Sequence, residues 1–274
     1  MRRSRARRRL KSNVPSGTHD TRLGSGTALR WARTVQQQMV SERKNVFGVL
    51  GGMGPLASAE FLKTIYEHCL GTREQDSPVV LMYSDPTFLD RTDNLLGNDG
   101  DLLLSQLKDG LEHLRACGAA RIVICCITIH HLLHRVPAEL RAVVWSLPDV
   151  IFAQLAQSRR RHLLICSKGT RALGIFEQHP QWSGSRHLFV LPDDRDQDSI
   201  HDLIYQIKRK CDVRQLTPFV EELLAKYEVD SFIAGCTEMH ILAKQLLAAE
   251  GEPRSYQCID PLVCVAQALA KKSA

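Results

Sequence analysis

Along residues 45–271, short apolar runs alternate with longer stretches of helical spacing. The run Asn45-Val46-Phe47-Gly48-Val49-Leu50 reads as a buried strand; it ends in Gly51-Gly52-Met53-Gly54-Pro55, and a helical pattern starts at Ala57-Ser58-Ala59-Glu60-Phe61. A second strand, Val79 to Tyr83, leads into a polar loop from Ser84 to Asp93. Residues 102–117 have Leu103, Leu107, Leu111 and Leu114 on one helical face and stop at Gly118, a natural C-cap. Arg121 to Cys125 is the next strand and runs into Cys126.

The same order then recurs. Arg161 to Ile165 reads as a strand, Cys166-Ser167-Lys168-Gly169-Thr170 as a loop, and Arg171-Ala172 as a helix start. Arg186 to Val190 is another strand, helices follow at about 196–211 and 216–227, and Ser231 to Gly235 is a strand that runs into Cys236. Placing Cys126 on Cys236, an offset of 110 residues, also places His130 on His240. Alternating strands and helices imply parallel βαβ units with right-handed crossovers. The expected fold is therefore α/β, with two similar parallel-sheet lobes related by pseudo-twofold duplication and the active site in the cleft between them. The first lobe spans 45–150 and the second 151–254, and a C-terminal helix within 255–274 crosses back onto the first.

Composition changes this picture only at the N-terminus. The chain has 274 residues, 44% hydrophobic and 24% charged, enough to bury a core, and no apolar run is long enough to span a bilayer. Residues 1–44 hold ten Arg and two Lys against Asp20 and Glu42, a net +10; the whole chain carries +6, so residues 45–274 carry −4. The basic character belongs to this leader, and nucleic-acid binding is not expected of the body. The leader is expected to be disordered. It is open to reading as a transit peptide, as a basic arm, or, with Met39 as a natural start, as upstream non-native sequence. No apolar core of a secretory signal follows it, so a cytoplasmic location is expected, or an organelle if the leader is a transit peptide.

The cysteines number nine: Cys69, Cys117, Cys125, Cys126, Cys166, Cys211, Cys236, Cys258 and Cys264. The odd count and the lack of any C-x-x-C pair argue for reduced thiols and against a zinc ribbon. Most are expected to be buried hydrophobes. Cys126 and Cys236 differ because each ends a strand just before a helix, where open parallel sheets bind ligands and where a helix N-terminus favours the thiolate. Two thiols facing each other across a cleft suit stereoinversion, one removing a proton and the other delivering one to the opposite face. Arg91, Lys208 and the amides of the Gly51–Pro55 turn are available to steady the carbanion. Other readings compete. His130, His131 and His134 invite a zinc site, but no thiol or carboxylate cluster completes it. The glycine turn lacks the lysine and hydroxyl of a phosphate loop, and Arg91 alone reads equally well as a surface arginine.

Five elements in order resemble the aspartate/glutamate racemase family over about residues 45–272. They are Gly51-Gly52-Met53-Gly54-Pro55, Asp90-Arg91-Thr92, Cys126 with Thr128 and His130, Gly169-Thr170, and Gly235-Cys236-Thr237-Glu238. The resemblance implies racemisation of aspartate or glutamate without pyridoxal phosphate or metal, by a homodimer, with Cys126 and Cys236 as catalytic acid and base. It implies that Arg91 holds the distal carboxylate and Lys208 lies near the α-carboxylate. Met53, Thr128, Thr170, Thr237 and Glu238 would complete the substrate pocket. Ile127 stands where the family has Asn, and an apolar side chain there cannot make the amide's hydrogen bonds. A diacid cis–trans isomerase, a decarboxylase needing one thiol, and a non-catalytic acidic amino-acid binder are the alternatives on the same scaffold.

Overall fold

The computed structural model describes residues 46–97, 100–209, 212–248 and 256–273; the basic leader 1–44 and Cys211 lie outside them. The chain forms β1 (Val46–Gly51), α1 (Pro55–Cys69), β2 (Val80–Ser84), α2 (Arg91–Gly97), α3 (Asp101–Ala116) and β3 (Ala119–Ile124). A 3₁₀ helix (Thr128–Arg135), α4 (Ala138–Arg141) and α5 (Leu147–Leu155) follow. Then come β4 (His162–Ile165), α6 (Lys168–Ala172), α7 (Trp182–Ser185), β5 (Phe189–Val190), α8 (Asp194–Lys208) and α9 (Thr217–Lys226). The chain closes with β6 (Ser231–Ala234), α10 (Glu238–Ala248), β7 (Gln257–Ile259) and α11 (Pro261–Ser273).

Two sheets result, one ordered β2-β1-β3 and the other β5-β4-β6-β7, and every strand pairing is parallel. Superposing the orders puts β1 on β4, β2 on β5 and β3 on β6, so the repeat in the sequence is a repeat of topology. Strands β1, β4 and β6 are buried at every position, as strands covered on both faces must be, and apart from His162 and Ser231 at their starts, which hydrogen-bond each other, β4 and β6 are apolar runs. Helix α1 opens on Pro55, whose missing N–H is no loss in a first turn. Helix α3 buries Leu103, Leu104, Leu107, Leu111 and Leu114 on one stripe. Ser146 and Asp193 cap α5 and α8, accepting the Asp149 and Asp196 N–H groups at 3.2 and 2.8 Å.

One core joins the sheets. Phe61, Val123, Phe152, Leu164, Phe176 and Ile233 belong to a single buried cluster, which Leu262, Val265 and Ala266 of α11 complete. Helix α11 packs against α1 and α5. Two features were not legible in the pattern. Gln257–Ile259 is a strand beside β6, so the C-terminal segment first extends the second sheet and only then crosses back. Helix α5, Leu-Pro-Asp-Val-Ile-Phe-Ala-Gln-Leu, buries Leu147, Val150, Ile151, Phe152 and Leu155; a segment apolar on so many sides has too little periodicity to declare itself.

Gly52 and His130 fix the loops that follow β1 and β3. Gly52 has φ +94°, and a Cβ there would lie 2.2 Å from the Asp85 main chain. His130 is buried; its Nδ1 lies 2.8 and 3.2 Å from the Cys126 and Ile127 carbonyls and therefore carries the proton, while Nε2 accepts the Leu147 N–H at 3.3 Å. Burial holds its pKa down at about 4, against the partial support of those carbonyls.

Gly52→Ala combines left-handed strain with a main-chain collision, and is expected to destabilise the fold by about 2 kcal/mol or more. Guanidinium denaturation checks this, and a wild-type midpoint would refute it. His130 titrates near 6.5 when unfolded and near 4 when folded. Its contribution is therefore complete above pH 6.5 and lost as pH falls toward 4, on the order of 3 kcal/mol in all. His130→Gln should flatten unfolding free energy against pH in that window; an unchanged slope would contradict the assignment.

Candidate active site

The loops after β1, β3, β4 and β6 meet at the carboxyl ends of both sheets, where a parallel arrangement gathers its ligand-binding groups. They enclose a small cavity lined by Met53, Asp90, Arg91, Thr92, Cys126, Thr128, Ser167, Tyr205, Lys208, Cys236 and Glu238. Its volume is ≈ 10 Å³, room for about one water molecule. A larger depression of ≈ 880 Å³ lies near the opposite ends of β4 and β6, around Arg160, Arg161, Asp230 and Tyr256. It is open to solvent, Arg160 pairs with Asp230 there, and no cysteine is among the described residues that line it.

Both thiols of interest border the cavity, one from each half. Cys126 follows β3 and Cys236 follows β6, and they are 8% and 7% exposed. Each also packs at the edge of a different apolar cluster, so the cavity is where the two clusters face each other. The Cys236 Sγ–H donates to Glu238 Oε2 at 2.8 Å. Burial first, and then the Glu238 carboxylate, push this thiol well above its ordinary pKa, against the pull of Lys208. Both effects oppose the helix terminus at Cys236. At Cys126 the expected α-helix is a 3₁₀ helix.

Arg91 is not a surface residue: it is 8% exposed, in the first turn of α2. Its Nη1 donates to the Leu89 and Phe88 carbonyls at 2.8 and 3.4 Å, and its Nη2 to the Met53 carbonyl at 2.5 Å. These contacts engage three of the guanidinium's five N–H donors and bind the glycine turn to the loop after β2. Burial opposes the charge, but Cys126, Asp90 and Glu238 outweigh it and raise the Arg91 pKa. Asp90 caps α2, accepting the Thr92 and Asp93 N–H groups at 2.8 and 3.1 Å through Oδ1, and the Tyr205 O–H at 2.6 Å through Oδ2. Burial works against the Asp90 charge too, yet Tyr205, the Asp93 amide, Arg91 and Lys208 keep its carboxyl below the usual range. Lys208 stands 4.5 Å over the Tyr205 ring, and its Nζ is 3.9 Å from Glu238 Oε1.

The remaining expected residues divide. Met53, Thr128 and Glu238 reach the cavity. Thr170 does not line it, but supports it: Thr128 Oγ1 lies 2.8 Å from Thr170 Oγ1 and 3.2 Å from Ser167 Oγ, closing a triangle of hydroxyls across the two halves. Thr237 is another brace, donating to the Cys125 carbonyl at 3.3 Å. Ile127 turns away into the core beside Phe47 and Val123, so its departure from the family pattern does not reach the cavity. His130 and His240 stay outside the cavity as well. Among the described residues no group of three or more His, Cys, Asp or Glu is placed to hold a metal ion, and no helix is long and apolar enough to cross a membrane.

Sequence reasoning left four lining residues out of the site. Asp90 and Thr92 flank Arg91, Ser167 follows β4 as the capping hydroxyl of α6, and Tyr205 precedes Lys208 by one helical turn. The i, i+3 spacing of Tyr205 and Lys208 was the available signal.

Comparison with known proteins gives the family and the fold. The family profile described as Asp/Glu/Hydantoin racemase matches residues 50–269. The broad specificity amino-acid racemase RacX of Bacillus subtilis (strain 168) is 21% identical over 203 residues, 71% of this chain and 86% of that protein. The aspartate racemase of Picrophilus torridus has the same fold, with a TM-score of 0.70 at 21% identity over 84% of this chain and 94% of the other. A glutamate racemase of Francisella tularensis in complex with D-glutamate superposes with a TM-score of 0.54 at 11% identity, covering 84% of this chain and 81% of the other. With the profile spanning most of the chain, this protein belongs to the Asp/Glu/hydantoin racemase family and is an amino-acid racemase.

Proposed function

We propose that this racemase inverts an acidic amino acid, aspartate or glutamate, with Cys126 and Cys236 as its two acid/base groups. The observation that carries this reading is the placement of the two sulfurs on one small cavity, each delivered by the equivalent strand of its sheet. The roles are unequal at rest. Cys236 keeps its proton, held toward Glu238, and is ready to donate. Cys126 shares the cavity with the Arg91 guanidinium and is the base of the pair, taking the α-proton. The sulfur–hydrogen bond on Cys126 forms as the carbon–hydrogen bond breaks; Cys236 then gives its proton to the opposite face, and the two sulfurs exchange protonation states. Lys208 and the hydroxyls of Thr128 and Ser167 meet the charge that grows on the α-carboxylate, and the free donors of Arg91 hold the distal carboxylate.

The acidic preference rests on Arg91 and Lys208 both bordering the cavity. A cavity the size of one water holds no amino acid, so the substrate is admitted when the two halves part and the Tyr205–Asp90 bond opens. Closure around the substrate would then exclude water from the carbanion.

Proton NMR in deuterium oxide should show loss of the α-proton signal from aspartate or glutamate, with both enantiomers appearing. Cys126→Ala and Cys236→Ala should each lower racemisation by about 10²–10⁴-fold. Near-normal turnover in either variant would refute a two-base pair.

A further inference from the structure

The cavity holds one charged atom that the steps above leave unused. Glu238 is 2% exposed. Its Oε2 accepts the Cys236 Sγ–H at 2.8 Å and lies 3.5 Å from the Thr237 hydroxyl oxygen. Its Oε1 is buried and has no hydrogen-bond donor among the described residues. Lys208 Nζ, at 3.9 Å, stands beyond hydrogen-bond reach. The carboxylate fits there only because residue 54 is glycine, since a Cβ on Gly54 would lie 2.1 Å from Oε1. A buried carboxylate oxygen in this condition calls for a donor, and a cationic donor answers it best.

Asp90, the other carboxylate on the cavity, is in the opposite condition, because both its oxygens are occupied by Thr92, Asp93 and Tyr205. The cavity therefore offers two cations, Arg91 and Lys208, and one carboxylate oxygen that Lys208 faces as an ion pair without a hydrogen bond. An acidic amino acid offers the complement, two carboxylates and one ammonium. Glu238 also lies against Cys236, so an ammonium held on Oε1 brings its attached α-carbon beside that sulfur.

We infer that Glu238 Oε1 binds the substrate's α-ammonium and that Glu238 thereby selects amino acids over dicarboxylates that lack the nitrogen. The inference rests on the acidic amino-acid reading for the ligand's identity. It also gives Gly54 a specific task, that of leaving room for the carboxylate.

The test is isothermal titration calorimetry of the full chain with L- and D-aspartate against succinate, and with L- and D-glutamate against glutarate. In Glu238→Gln the amino-acid affinity should fall at least tenfold, about 1.4 kcal/mol. Succinate and glutarate should bind as before or more tightly, because one negative charge has left the cavity. Glu238→Asp should recover part of the loss. Gly54→Ala, which displaces Oε1 by collision, should weaken the amino acids selectively too, and it serves if circular dichroism shows Glu238→Gln unfolded. Equal weakening of both ligand classes, no change in either, or a wild type that binds succinate as well as aspartate would overturn the inference. Absence of α-proton exchange in the wild type would sink the racemase reading instead, and calorimetry does not depend on that result.

Discussion

A buried guanidinium holds the site together. Arg91 sits almost wholly out of water, and a cation in that position is tolerated only if its donors are met. Three backbone carbonyls from two different loops meet three of the five. The same contacts fix the glycine turn after β1 against the loop after β2, which sets where Met53 and Gly54 stand. Gly54 in turn gives space to Glu238, and Glu238 receives the Cys236 thiol. Asp90, beside Arg91, both caps α2 and ties the first half to α8 through Tyr205. The chain of dependence from one arginine to the far sulfur runs through hydrogen bonds and close packing, with burial making each of them matter.

The twofold repeat places the groups, and departures from it differentiate them. Cys126 and Cys236 arrive on equivalent strands, yet Cys236 has a carboxylate at hydrogen-bond distance. His130 and His240, matched in sequence, do different work. His130 holds the backbone of its own loop. His240 is fully buried in a side-chain network, with Nδ1 2.6 Å from Asp260 Oδ2 and Nε2 2.9 Å from Thr64 Oγ1. Lys244 joins the same Thr64 hydroxyl at 3.0 Å, and Asp260 caps α11 by accepting the Leu262 N–H at 2.9 Å. This network fastens α1, α10 and α11 behind the second thiol.

The thiol chemistry shows how magnitudes choose between two sound arguments. A helix N-terminus favours an anion by about 0.3–1 kcal/mol in ordinary exposed settings. Full burial moves a titrating group by up to roughly 3–5 pKa units, several times more energy. At Cys236 burial and the adjacent carboxylate act together, so the terminus loses and the sulfur keeps its proton. Cys166, buried without any catalytic neighbour, is pushed up to about 12 mainly by burial. Burial is thus the largest influence on both thiols, with Arg171 opposing it at Cys166 and Lys208 at Cys236.

The sequence by itself determined the parallel α/β class, the order of most strands and helices, the internal repeat and the two cysteines at equivalent strand ends. These are local or periodic properties, written in runs of apolar residues, in glycines and in spacing. The strand Gln257–Ile259 escaped because its three residues gain order only from β6 beside them, and α5 because burial on many sides erases periodicity. Only the tertiary structure decided which hydroxyls brace the cleft and which line it, since Thr170 and Thr237 differ from Thr128 in direction and not in kind. It also turned Ile127 into the core and brought Asp90 to Tyr205. The state of the Cys236 proton belongs with these. Such outcomes depend on which groups share a dry space, and that is settled by packing the sequence does not display, as in the bond between Tyr205 and Asp90, 115 positions apart.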